Sequence, residues 1–173
     1  MITKERLMMG YTYKDYLKAI QKNLDKFEKA YEEVSIAPDD KKALEQFGKK
    51  VYVLGIGEDW CPDVYTNLPV MARVAELNPN IEFRVFMRDK NHDLMNHYLF
   101  RGQSASIPAF GFFDEHFKEF GRWLGGRPKY CWDLIDAEGR EKAMPKVREF
   151  YATSKGQETA REFREILYSI VTD

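Results

Sequence analysis

The apolar run Val51-Tyr52-Val53-Leu54-Gly55-Ile56-Gly57 empties directly into Trp60-Cys61-Pro62-Asp63-Val64. With so few polar residues the run reads as a central strand buried on both faces. Beyond it, Val64, Leu68, Met71, Ala72 and Ala75 recur at helical spacing until Asn78-Pro79-Asn80 ends the pattern. Ile81-Glu82-Phe83-Arg84-Val85-Phe86-Met87 then alternates and closes on apolar residues, which predicts a second strand. Strand, helical crossover and strand in that order form a βαβ unit with parallel pairing.

The flanking chain is helical on one side and mixed on the other. From Thr12 to Val34 the residues Tyr13, Tyr16, Leu17, Ile20, Leu24, Phe27, Tyr31 and Val34 predict one long amphipathic helix. Thr12, with Asp15 three residues on, has the form of a capping box. Ala37-Pro38-Asp39-Asp40 starts a shorter helix through Leu44 and Phe47. After the βαβ unit, His92 to Phe100 predicts a short helix, and Ile107 to Phe113 a strand that tolerates Pro108 at its start. Phe117 to Trp123 is its antiparallel partner. Three helical stretches follow: Lys129 to Ile135, Pro145 to Ala152 with a first-turn proline, and Glu158 to Val171. The division expected is a helical N-terminal extension over 1–50, a core over 51–135 and C-terminal helices over 136–173.

Composition narrows the class. A chain of 173 residues, 44% hydrophobic and 32% charged, is ordinary for a soluble globular protein. Its formal net charge of -1, with signs mixed throughout, argues against a nucleic-acid partner or a polybasic membrane patch. No apolar stretch approaches the roughly 18 residues of a membrane span. No apolar region follows the charged N-terminus, so a secretory signal is not expected. Two cysteines, Cys61 and Cys131, make no disulfide framework and fit a reducing, cytoplasmic setting.

Cys61 carries the chemistry. A cysteine at the mouth of a helix meets unpaired N–H groups and the positive end of the helix dipole, which favour thiolate over thiol. Pro62 suits the first helical position, where its missing N–H costs nothing. Against this, Glu58, Asp59 and Asp63 bring negative charge that favours the thiol, and no His, Lys or Arg is adjacent in sequence. Trp60 has three readings: a cover for the thiol, a docking point for a partner, or part of the core. Cys131, between Tyr130 and Trp132, reads as a buried structural cysteine rather than a resolving partner. The Arg122 to Lys129 cluster reads as a solvated turn rather than a site for an anionic thiol such as glutathione. His92, His97 and His116 do not combine with either cysteine at zinc-site spacing, so no metal and no cofactor are expected.

Four landmarks in order carry a family resemblance: Trp60-Cys61 at the strand-to-helix junction, Pro69 within the following helix, Ile107-Pro108 opening a later strand, and Gly121 in the next. The chain resembles the thioredoxin-like proteins, with a single-cysteine Trp-Cys-Pro-Asp-Val site. The resemblance covers about Val51 to Ile135. It implies an α/β fold of three layers around a central mixed sheet, with the helical extensions outside it. It also implies an Ile107-Pro108 bond in cis and a backbone edge there that takes an extended peptide by strand addition. In that scheme Cys61 is catalytic, and Trp60, Pro62, Ile107, Pro108 and Gly121 bind substrate. The implied activity is thiol–disulfide exchange and redox homeostasis, on a protein disulfide or a low-molecular-weight thiol substrate. The alternative is a non-redox binding module that uses the same edge.

Two residues depart from the family pattern. Val64 stands where a dithiol member has its resolving cysteine, and Gly55 where thioredoxins bury a carboxylate. The expected mechanism therefore uses one nucleophilic cysteine and an external resolving thiol. The chain also lacks the Cys-Gly-Phe-Ser sequence of the monothiol glutaredoxins that share iron–sulfur clusters.

Overall fold

A computed structural model describes residues 2–170. Four strands, β1 (Val51–Gly57), β2 (Ile81–Met87), β3 (Ala109–Phe113) and β4 (Glu119–Trp123), form one sheet in the order β2-β1-β3-β4. β1 runs parallel to β2, with Val51 opposite Ile81, and antiparallel to β3, with Ile56 opposite Ala109. β4 closes the other edge antiparallel to β3. Every residue of β1 and β3 is buried, which accounts for their unbroken apolar sequences. The fold is thioredoxin-like, a mixed sheet with helices on both sides.

Nine α-helices surround the sheet among the described residues: α1 (Lys4–Leu7), α2 (Tyr13–Ala19), α3 (Leu24–Glu33), α4 (Pro38–Gln46), α5 (Pro62–Glu76), α6 (His92–Met95), α7 (Lys129–Glu138), α8 (Arg140–Ser154) and α9 (Gln157–Tyr168). α5 is the crossover between β1 and β2, and it meets α3 and α9 as well as the sheet. α9 lays Phe163 against Phe110, Phe112 and Trp123, with ring centroids 5.0 to 6.3 Å apart. On the opposite face the chain after α6 brings the Tyr98 ring so close to Gly111 that any side chain there would collide with it. The buried core draws on both ends of the chain, taking Leu7, Tyr16, Phe27 and Leu44 from the N-terminal helices and Ala160, Phe163 and Leu167 from α9.

Three elements differ from the sequence expectation. The single helix expected over Thr12–Val34 is two helices, broken where Ile20 is extended and Asn23 adopts a left-handed conformation at φ 62°. The break docks on the loop before Cys61. The Asp59 carboxylate accepts hydrogen bonds from the backbone amides of Gln21 and Lys22, each at 2.9 Å, and the Asn23 side-chain amide donates to the Asp59 carbonyl at 2.9 Å. These tertiary bonds replace the helical ones that the break removes. The short helix expected over His92–Phe100 ends at Met95. α8 begins at Arg140, so Pro145 lies inside it rather than in its first turn. The end of the last expected helix, at Val171, falls outside the described residues.

The N-terminal segment also covers the β2 edge. Tyr11 and Val85 exchange both backbone hydrogen bonds, at 2.9 and 2.8 Å. The Arg84 guanidinium grips the carbonyls of Met8 at 2.6 Å and Gly10 at 3.3 Å.

Candidate functional site

Cys61 is the N-cap of α5, with Pro62 at the first helical position. Its carbonyl accepts the first bonds of the helix, from Val64 at 3.0 Å and Tyr65 at 3.2 Å. Val64 points inward, fully buried against the space over Gly57. The position of a second thiol is therefore an apolar core position. Cys61 itself is half-buried, and its thiol donates a long contact to the carbonyl of Ile107 at 3.8 Å.

The Ile107–Pro108 peptide bond is cis. It brings the Ile107 carbonyl to the sulfur on one side and to Gly126 on the other. A Cβ at Gly126, where φ is 77°, would stand 2.3 Å from that carbonyl oxygen. Gly126 is the glycine at the site; Gly121 lies within β4 beneath Ile166 of α9. The strand runs on past Gly121 to Trp123, and the Gly125-Gly126 turn then returns the chain to the cysteine. Ile107 and Pro108 are both buried, so their edge is a wall of the site rather than an open shelf. Trp60 and Pro62 are exposed, Trp60 at 47%, with the Arg88 guanidinium 5.2 Å from the tryptophan ring centre.

Behind Cys61 lies a buried polar network that the sequence reading missed. Arg127 is buried and pairs with Asp63 through Nε, at 3.1 and 3.3 Å from the two carboxylate oxygens. It is not part of a solvated turn. The Tyr151 hydroxyl donates to Asp63 at 3.1 Å. Asn67, one turn along α5, donates to the carbonyls of Asp63 and Gly126, each at 3.1 Å, and accepts from Thr159 at 2.8 Å. The network thus ties α5, the Gly126 loop, α8 and α9 together. One signal was present in sequence: Asn67 is polar, yet it falls between Val64 and Met71 on the inward face of the helix. Arg127 and Tyr151 carried no such mark, because their partners are distant in the chain.

The electrostatics of the thiol follow from this packing. Burial pushes the Cys61 pKa above its ordinary value. No helix N–H reaches the sulfur with capping geometry, so the amides of Val64 and Asp63 pull the pKa down less than burial raises it. The Asp63 carboxylate adds to the upward shift, and the Arg127 guanidinium opposes it. Burial likewise raises Asp63, against the pull of Arg127 and Tyr151. Cys131 is fully buried and is pushed up to about 12, which leaves it an inert thiol. Among the described residues no group of three or more His, Cys, Asp or Glu is placed to hold a metal ion. No described helix is long and apolar enough to cross a membrane.

A four-stranded mixed sheet with a cysteine at the N-cap of its crossover helix, facing a cis-proline loop, defines a thioredoxin-like α/β protein. A thioredoxin family model matches residues 10–162, and the chain belongs to that family. Two solved structures share the fold over nearly the whole chain. One is an HIV epitope-scaffold, 19% identical with a TM-score of 0.78, covering 98% of this chain and 100% of its own. The other is a protein of unknown function from Pseudomonas aeruginosa, 19% identical with a TM-score of 0.71, covering 98% of this chain and 97% of its own. No curated protein matches the sequence.

Proposed function

We propose that the protein carries out thiol–disulfide exchange through Cys61 alone, with an external thiol completing the cycle. The observation that supports this most is the position of Cys61, half-buried at the helix N-cap and facing the Ile107 carbonyl, while Cys131 is sealed in the interior. In the first step the Cys61 thiolate attacks one sulfur of a substrate disulfide. A Cys61–substrate disulfide forms, and the other substrate sulfur leaves as a thiolate that takes up a proton. In the second step an external thiolate attacks the substrate sulfur of that mixed disulfide and releases Cys61. One disulfide is consumed and one is formed, so the electrons balance without a cofactor. Exposed Trp60 and Pro62 beside the sulfur suit a substrate of protein or small-thiol size. The raised thiol pKa makes Cys61 less thiolate-rich at neutral pH than an ordinary cysteine, so its attack should quicken as pH rises.

The test is exchange between a peptide disulfide and reduced glutathione, followed with and without the protein from pH 6 to 10. Catalysis by the wild type, rising beyond the ordinary thiol range near about 8.5, and its loss in Cys61→Ser are the expected results. Cys131→Ser should keep the activity. A wild-type rate no faster than the uncatalysed background would overturn the reading in favour of a non-redox binding module.

A further inference from the structure

We propose that the hollow between the end of β4, α7 and α9 binds a small monocarboxylic acid with an aromatic or apolar body, its carboxylate held by the Arg127 guanidinium. The hollow has a volume of about 550 Å³, within the range of small-molecule sites. Cys61 is not among its walls, so the site does not depend on thiol chemistry.

The chain on either side of Arg127 sets its place. Gly126 turns in a left-handed conformation, and Pro128 restricts Arg127 to extended backbone before α7 begins. The Arg127 side chain is only 7% exposed, and its Nε is committed to the Asp63 carboxylate at 3.1 and 3.3 Å. Its two terminal amino groups have no hydrogen-bond partner among the described residues, yet neither is sealed from solvent. That edge of a guanidinium is a planar fork of N–H donors that matches the two oxygens of a carboxylate. An anion gains most at such a cation, because water screens a buried charge poorly.

The other charges of the wall are already matched. Lys129 pairs with Asp133 at 2.7 Å, Arg101 with Asp136 at 2.5 Å and Arg122 with Glu119 at 2.6 Å. These three cations are 45 to 79% exposed and form the rim, whereas Arg127 is buried. Glu162 accepts from the Trp123 indole at 2.8 Å and the Lys129 amide at 2.9 Å, and Glu165 lies 3.6 Å from Arg161.

The walls also select the body of the ligand. Phe100 and Trp132 pack with ring centres 4.4 Å apart, and the Arg127 guanidinium lies 5.2 Å from the centre of the Trp132 ring. Leu124 and Ile166 add aliphatic surface. Aromatic and aliphatic walls beside one buried arginine suit an acid that carries a ring or a short hydrocarbon chain. Asp133, Glu162 and Glu165 face the same space and would repel a second negative charge, which favours a monoanion over a phosphate.

The test is a titration of the full-length protein with sodium benzoate at constant ionic strength, followed by the indole N–H resonances of Trp60, Trp123 and Trp132. Trp132→Phe identifies the Trp132 signal. Benzoate should shift that signal saturably in the millimolar range, while Trp60, outside the hollow, stays in place. Benzamide, the same ring without the charge, should leave it unmoved. Arg127→Gln should weaken benzoate binding by at least about tenfold through loss of charged hydrogen bonds. Lys129→Gln should stay within about threefold of the wild type, because an exposed charge contributes little. Arg127→Gln leaves Asp63 buried without its cation; if that variant fails to fold, the double variant Asp63→Asn, Arg127→Gln removes both charges and takes its place. The contrast between benzoate and benzamide in the wild type decides whichever variants fold. Saturable benzoate binding, absent for benzamide and lost with Arg127, supports the inference. No saturable shift, an equal response to benzamide, or undiminished binding without Arg127 would overturn it. Tighter binding of inorganic phosphate than of benzoate would overturn the assignment to a monocarboxylic acid. None of these readouts involves Cys61, so they stand whether or not the thiol exchanges disulfides.

Discussion

Gly126 shows how closely the site is built at the level of single residues. Its φ of 77° lies in the left-handed region, and the Ile107 carbonyl occupies the space where a side chain would begin. Gly126→Ala should therefore cost at least about 2 kcal/mol, combining the left-handed penalty with displacement of the carbonyl. A urea melt would show this as a lower midpoint with an unchanged slope. The landmarks visible in sequence, Cys61, Pro69 and Pro108, are those whose covalent chemistry alone restricts what they do. Gly126 was not separable from Gly121 and Gly125 in sequence, because a glycine's role is decided by which atom approaches it. The same holds for Asp63. Its charge was legible and its upward push on the thiol was anticipated, but the cation that opposes it stands far along the chain.

Periodicity located the elements but not their interruptions. The apolar steps of three and four continue across Ile20 to Asn23, so they describe one helix where the protein has two. What breaks the helix is Asp59, a residue of the site loop. The α2–α3 turn and the strand-to-helix loop thus support one another, and the N-terminal helices frame the cysteine rather than trailing from the sheet. Asp59→Ala should remove two charge-assisted hydrogen bonds, at a cost of about 1 to 3 kcal/mol. Hydrogen exchange at the amides of Gln21 and Lys22 should quicken, while that of the buried β1 amides stays slow. Rapid exchange spreading equally through β1 would show instead that the turn and the sheet open as one unit. The strands fared better in sequence than the helices because burial on both faces leaves a compositional mark that no break interrupts, as in Val51–Gly57.

Considered whole, the molecule is a sheet whose β2 edge is closed from an unexpected direction. β2 is an edge strand, and a row of unpaired backbone groups on an edge strand invites another chain to pair with it. The Tyr11 bridge and the Arg84 grip on Met8 and Gly10 place the start of the chain across that row. The segment over residues 2–11, anchored in the core by Ile2 and Leu7, thereby acts as a guard against self-association. A chain lacking residues 1–11 should form larger species as concentration rises, seen by size-exclusion chromatography, whereas the full chain should elute at one position throughout. For anyone producing this protein, the practical consequence is that a tag or cleavage scar belongs at the far end of the chain, where it leaves that guard in place.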